Sequence, residues 1–121
     1  MLPHPPVHPT AKLAQENYFK DVVAEVAAEA ASEDVLVVGV AWNQPARKAR
    51  EALDAAGIKH RYLEYGSYLS GWRMRVALKL WAGWPTFPQV YVKGALVGGA
   101  RETKALLQSG ELQAMLGQKS A

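Results

Sequence analysis

The sequence contains no cysteine among its 121 residues. This absence excludes disulfide bonds, catalysis by a thiolate, and iron–sulfur or zinc sites built from the chain's own sulfur ligands. No catalytic residue of that kind and no metal site are therefore expected in this protein.

Long apolar runs and blocks of one charge are also absent. No apolar run approaches the ~20 residues that a membrane-spanning helix needs, and residues 1–6 lack the pattern of a secretory signal. The net charge is only +3, and basic residues alternate with acidic ones along most of the chain, so neither a nucleic acid nor a membrane is an expected partner. These features are typical of a soluble cytoplasmic protein, and half of the residues are hydrophobic, which suits a single core.

The first third of the chain divides into a tail and a helix. Residues 1–9 are rich in proline and histidine and are expected to form a flexible tail, whose His4 and His8 are too few to make a metal site. Thr10 is a candidate N-cap, and a helix is predicted over 10–32. Its apolar residues share one helical face: Leu13, Tyr18, Phe19, Val22, Val23, Val26, Ala27 and Ala30. This face packs on a sheet, or alternatively forms a dimer contact.

A strand–helix–strand unit opens the domain predicted for residues 33–117. Residues 35–40 are a continuous, mostly β-branched apolar run, as in a buried central strand. The next helix includes Pro45 in its first turn and ends near Gly57. A second strand is predicted over 58–65, and this spacing is typical of a parallel unit.

The stretch that follows is read as a helix with one apolar side. Basic residues, among them Arg75 and Lys79, lie on its other sides, and charge alone favours a solvated face for them. The helix is predicted to end near residues 82–83. Its apolar face consists of Tyr68, Leu69, Trp72, Val76, Leu80 and Trp81.

Residues 83–99 contain the most distinctive pattern of the chain. Pro88 fits the first residue of a strand in which Val90 and Val92 share one face and Gln89 and Tyr91 the other. A tight turn at 93–94 leads into a second strand over 95–97. Gly98 and Gly99 then open a helix from about residue 100, where backbone N–H groups can converge on an anion. Ser109 and Gly110 interrupt that helix before a last turn over 111–116.

The segment Trp84-Pro85-Thr86-Phe87-Pro88-Gln89, the hairpin and the Gly-Gly pair resemble the glutaredoxin family, most closely its monothiol branch. The resemblance covers residues 35–116. It implies a thioredoxin-like α/β fold with a four-stranded mixed sheet in the order 2-1-3-4, flanked by helices and extended by an additional N-terminal helix. It also implies an antiparallel pairing of the strand after Pro88 with the strand 35–40, and a cis Phe87–Pro88 peptide bond.

The register of this resemblance places Asn43 at the family's attacking cysteine and Ala46 at its resolving one. Neither side chain attacks a disulfide, so no thiol–disulfide oxidoreductase activity is expected. Asn43 is more often an N-cap than a ligand contact, and the two roles are compatible.

The resemblance further implies a ligand groove, with glutathione as the ligand and no intrinsic cofactor. Arg101 occupies the position at which the family carries an aspartate that meets the amino group of glutathione, and an arginine repels an ammonium. The candidate ligand-binding residues are Trp42, Asn43, Gln44, Arg47, Arg75, Lys79, Phe87, Pro88, Gly98, Gly99, Arg101 and Glu102.

Three functions remain open at this point. The first is a non-redox binding module for glutathione, another small anion or a protein partner. The second is an interaction or dimerisation domain, in either a monomer or a homodimer, with Tyr65, Tyr68, Trp72 and Trp84 as exposed contacts. The third is a glutathione-using transferase in which the Asn43 amide assists.

Overall fold

The computed structural model describes residues 6–17, 20–65 and 72–117. Within these ranges the chain forms helices and the four strands of one sheet. They are α1 Pro9–Asn17, α2 Lys20–Ser32, β1 Val35–Gly39, α3 Gln44–Ala55, β2 Arg61–Glu64, α4 Trp72–Ala82, β3 Gln89–Val92, β4 Ala95–Gly98, α5 Ala100–Ser109 and α6 Glu111–Met115.

The four strands form one sheet in the order β2-β1-β3-β4. Strand β1 pairs in parallel with β2 and antiparallel with β3, and β3 pairs antiparallel with β4. Every residue of β1 is buried, as its unbroken apolar run predicts for a central strand. The predicted order and strand directions are confirmed.

Side chains alternate between the two faces of β3 and so contribute to two separate core layers. Val90 and Val92 pack with Leu53 and Leu112 on one face. On the other face, Tyr91 belongs to a cluster that receives residues from α2 and α4. The period-two pattern after Pro88 therefore predicted both layers correctly.

Helix α1 starts one residue before the predicted cap. The N–H of Lys12 donates to the His8 carbonyl at 2.9 Å, and the N–H of Thr10 donates to His8 Nδ1 at 3.1 Å. Pro9 fits the first helical position because it has no N–H to leave unpaired there. The assignment of Thr10 as the N-cap is wrong, since His8 supplies the capping contacts.

The predicted apolar stripe of the first helical region is confirmed only in α2. Val26 and Ala30 are buried there, whereas the Leu13 side chain in α1 is 60% exposed. Tyr18 and Phe19, which the same stripe includes, lie outside the described residues. Packing on the sheet is therefore established for α2 alone.

Helix α4 is rotated relative to its predicted apolar face. Ala77 and Leu78 are buried, whereas Leu80 is 63% exposed, so its assignment to the buried face is wrong. Trp81 is also exposed, at 42%, although its ring centroid lies 5.8 Å from that of the buried Tyr91. Tyr68, Leu69 and the Trp72 side chain lie outside the described part of the chain.

The connection between α4 and β3 carries the Trp-Pro-Thr-Phe-Pro segment. The Phe87–Pro88 peptide bond is cis. Gln89 is fully buried, and its amide donates to the Trp84 carbonyl at 3.3 Å while its Oε1 accepts from the Tyr91 hydroxyl at 3.1 Å. The first of these hydrogen bonds links the segment to the start of β3, and the second orients the Gln89 side chain.

Among the described helices, none combines the length and the apolar character that crossing a membrane requires.

Candidate functional site

Asn43 caps the first turn of α3. Its backbone is extended, with φ −80 and ψ 108, and its Oδ1 accepts from the N–H of Ala46 at 2.7 Å. The residue is only 6% exposed. The predicted N-cap is confirmed, so an amide oxygen satisfies the helix start at the position that the family resemblance assigns to a cysteine sulfur.

The residue before this cap has an unusual backbone. Trp42 has a φ of +60, in the left-handed region that costs residues with a Cβ about 1–2 kcal/mol. Its side chain is 85% exposed, so burial of the indole contributes little free energy to offset that backbone strain. The loop therefore places a large aromatic ring in solvent beside Asn43.

Replacing Trp42 by glycine is expected to raise the free energy of unfolding by about 0.5–1 kcal/mol, because glycine adopts a positive φ without strain. Urea denaturation measures this gain. Trp42→Ala removes the same ring but keeps the Cβ, and no gain is expected from it. Equal gains from both variants would assign the effect to the indole rather than to the backbone.

A groove runs from the start of α3 to the start of α5, past the Phe87–Pro88 bond. Its cavity volume is about 860 Å³. Three chain segments that are distant in sequence meet there, as the resemblance implied. The lining residues are Asn43, Pro45, Lys48, Arg75, Lys79, Trp84, Pro85, Thr86, Phe87, Pro88, Gly99, Ala100, Arg101, Glu102 and Lys104.

Three of the predicted groove residues lie elsewhere. Trp42, Gln44 and Arg47 line a smaller cavity of about 260 Å³ on the other side of Asn43. Helical spacing explains the division, since Gln44 and Arg47 are three residues apart on one side of α3 and Pro45 and Lys48 on another. The structure therefore does not bring these three side chains into the groove, and a role for them in ligand binding stays a prediction.

Some of the side chains that line the smaller cavity interact with one another. The Arg50 guanidinium carbon lies 4.0 Å from the Tyr62 ring centroid, and the Tyr62 hydroxyl donates to Glu64 Oε1 at 2.9 Å. Burial, and after it this hydrogen bond, raise the pKa of Tyr62 to about 12. Tyr62 therefore stays neutral at physiological pH and keeps its hydrogen bond to Glu64.

The glycine pair before α5 shapes the groove floor. The N–H of Gly99 donates to Glu102 Oε1 at 3.0 Å, and the Thr103 hydroxyl donates to the Gly99 carbonyl at 2.8 Å. Gly98 has a φ of +121, and a Cβ there would lie 2.7 Å from Glu102 Cγ. Gly98 itself does not line the groove, but it allows Glu102 to fold back over the helix start.

Two basic residues of the groove were missed at the sequence level. Lys48 follows Pro45 by three residues, and Lys104 follows Arg101 by three. The i, i+3 spacing places each lysine on the same helix face as its predecessor. That spacing was the available signal, and the family resemblance did not point to it.

Two of the aromatic residues predicted to contact a partner are instead packed within the fold. Tyr65 is half-buried, and its hydroxyl donates to the Glu25 carboxylate. Trp84 is also half-buried and lines the groove. Tyr68 and the side chain of Trp72 lie outside the residues that the structure describes. The exposure predicted for Tyr65 and Trp84 is therefore wrong.

Comparison with known proteins agrees with this architecture. The sequence model of the glutaredoxin family matches residues 45–97, starting just after Asn43. A glutaredoxin-like protein of Dictyostelium discoideum is 43% identical over 96 residues, which are 79% of this chain and 78% of that protein. Monothiol glutaredoxin-4 of Schizosaccharomyces pombe is 39% identical over 61 residues, which are 49% of this chain but only 25% of that longer protein.

A solved structure shares the fold. The crystal structure of a buckwheat glutaredoxin–glutathione complex superposes with a TM-score of 0.73 at 22% identity, over 84% of this chain and 93% of the other. The sequence relationship to the Dictyostelium protein spans most of the molecule. The structure adds the sheet order, the loop preceding β3 and the Gly-Gly helix start. By that relationship and that fold, the chain belongs to the glutaredoxin family, within which it is a member without cysteine.

Proposed function

We propose that this chain is a non-redox binding protein that holds glutathione, or a small anion of similar size, in the groove between α3, α4 and α5. The single observation that carries the proposal is the convergence of five basic side chains on one cavity. They are Lys48, Arg75, Lys79, Arg101 and Lys104.

The shape and chemistry of the groove support this assignment. A volume of about 860 Å³ lies within the range of about 300–1,000 Å³ that is usual for small-molecule sites. Guanidinium groups match carboxylates and phosphates in a paired geometry, and the groove includes Arg75 and Arg101. The Phe87–Pro88 wall adds an apolar surface beside these charges.

The cap described above supports a binding role over a redox role. The Asn43 amide occupies the helix start, and no residue of the chain is able to form a mixed disulfide. A thiol that enters the groove therefore belongs to the ligand. The bound state is a non-covalent complex, and the buckwheat glutaredoxin described above with glutathione offers a relative of the same fold for comparison.

Titration of the protein with reduced glutathione up to millimolar concentration tests the proposal. Amide chemical shifts are expected to change saturably around Asn43 and residues 99–101. Arg75→Ala is expected to weaken binding roughly tenfold, the usual effect of losing one hydrogen bond to a charged group.

Arg61→Ala provides the matched control for that variant. It removes the same side chain from β2, where Arg61 makes a long ion pair of 3.9 Å with Glu29 and is not among the described residues that line the groove. Binding is expected to be unchanged. Linear, non-saturating shifts in the wild type, or an equal loss in both variants, would rule out binding in this groove.

A further inference from the structure

The charges that line the groove are strongly unequal. Among the described residues, five basic side chains and one carboxylate, that of Glu102, line the groove. Glu102 Oε1 already accepts the Gly99 N–H at 3.0 Å, so this carboxylate serves the start of α5. Little negative charge is left in the groove to receive a cationic group of a ligand.

Helix α5 contributes two basic side chains to the groove wall, beside the Glu102 carboxylate. Arg101 and Lys104 are three residues apart and lie on one helix face. None of the ion pairs found between described side chains includes either residue. Arg101 also lies in the first turn of α5, where a cation opposes the helix dipole and destabilises the helix. An anionic ligand group at this wall offsets that repulsion.

A second basic wall comes from α4. Arg75 and Lys79 line the groove there, and Lys79 Nζ lies 5.9 Å from the Phe87 ring centroid. An extended ligand therefore meets basic side chains from two different helices. A ligand with two separated anionic groups satisfies both walls at once.

We propose that the groove selects dianionic ligands and discriminates against an ammonium group at the α5 wall, an inference that rests on the proposed binding function. The preferred class is an elongated dicarboxylate or carboxylate–phosphate without a free amine. Arg101 and Lys104 are the residues that determine this specificity. A zwitterionic end, such as the γ-glutamyl end of glutathione, is accepted less well.

Two ligands that differ only in the ammonium test this inference. Glutathione is compared by calorimetry with glutaryl-cysteinylglycine, in which a hydrogen replaces the α-amino group. The wild type is expected to bind the glutaryl compound at least roughly tenfold more tightly, since like charges within a few ångströms in a partly enclosed site cost about that factor. The double variant Arg101→Glu, Lys104→Glu is expected to lose or reverse this preference.

A charge-matched variant controls for general attraction to the basic protein. Lys12→Glu with Lys59→Glu changes the net charge equally at two exposed positions that do not line the groove, and the preference is expected to persist in it. Circular dichroism confirms that each variant is folded. Equal affinities in the wild type, tighter binding of glutathione, or a preference that survives in the groove variant would each overturn the inference while leaving the proposed function intact. Absence of saturable binding by both compounds would instead overturn the proposed function, and the inference with it.

Discussion

Replacing Asn43 by cysteine is expected to create a reactive thiol in a chain that has none. The new sulfur takes the place of an Oδ1 that accepts from the Ala46 N–H at 2.7 Å. A thiolate there gains that hydrogen bond and the favourable end of the α3 dipole, and Lys48 in the same groove adds positive charge. These effects lower a thiol pKa from about 8.5 to below about 7.5.

The rate of alkylation by iodoacetamide as a function of pH measures this pKa. Incubation with oxidised glutathione supplies a second measurement: the thiolate attacks one sulfur, glutathione thiolate leaves, and the protein gains the mass of one glutathionyl group. The wild-type chain, which lacks cysteine, is expected to show neither reaction.

A cysteine at the opposite end of the same helix is the control. Ala55 is exposed and is the last residue of α3, where the helix dipole disfavours a negative charge. The Ala55→Cys thiol is expected to titrate at or above about 8.5. Identical pH profiles for the two cysteines would show that the start of α3 does not activate a nucleophile.

Gly98→Ala is expected to destabilise the protein strongly, through backbone strain and steric overlap together. An added Cβ would lie 2.7 Å from Glu102 Cγ and 2.8 Å from Glu102 Cβ, and the residue has a φ of +121. The backbone strain alone costs about 1–3 kcal/mol, and the steric overlap typically adds about 1–3 kcal/mol. We expect the free energy of unfolding to fall by about 3 kcal/mol or more, as measured by urea denaturation.

Gly57→Ala separates the two contributions. Gly57 has a φ of +71, but a Cβ there meets nothing within 4 Å, so only the backbone term of about 1–2 kcal/mol is expected. A loss at position 98 no larger than the loss at position 57 would mean that Glu102 moves away freely. In that case the start of α5 would not depend on a glycine before it.

The parts of the fold that were predictable are those that local patterns determine. The β-branched run of β1 is compatible with little besides a buried central strand. Alternation after Pro88 determined which residues of β3 face each core layer. Asn43 was recognisable as a cap because its side chain needs only a neighbouring helix start.

The errors arose where the outcome depends on packing between distant segments. Leu80 and Leu13 fit apolar stripes, but which side of a helix is buried depends on the elements that pack against it. In α4 that side includes Leu78 and not Leu80. The side of Asn43 on which Trp42 lies was not predictable, because the positive φ of Trp42, which turns the loop, has no signature in the residue types around it. Glycine or asparagine would have signalled such a turn.

The residues that line the two cavities beside Asn43 carry an excess of positive charge. In the described part of the chain, seven basic side chains line these cavities and only two acidic ones do, although the whole sequence has 14 basic and 11 acidic residues. Positive charge is therefore concentrated on the walls of the groove and of the cavity next to it. The field of such a cluster draws anions toward the groove before contact. Its reach is about 10 Å at 0.1 M salt, so capture of a charged ligand becomes slower as ionic strength rises.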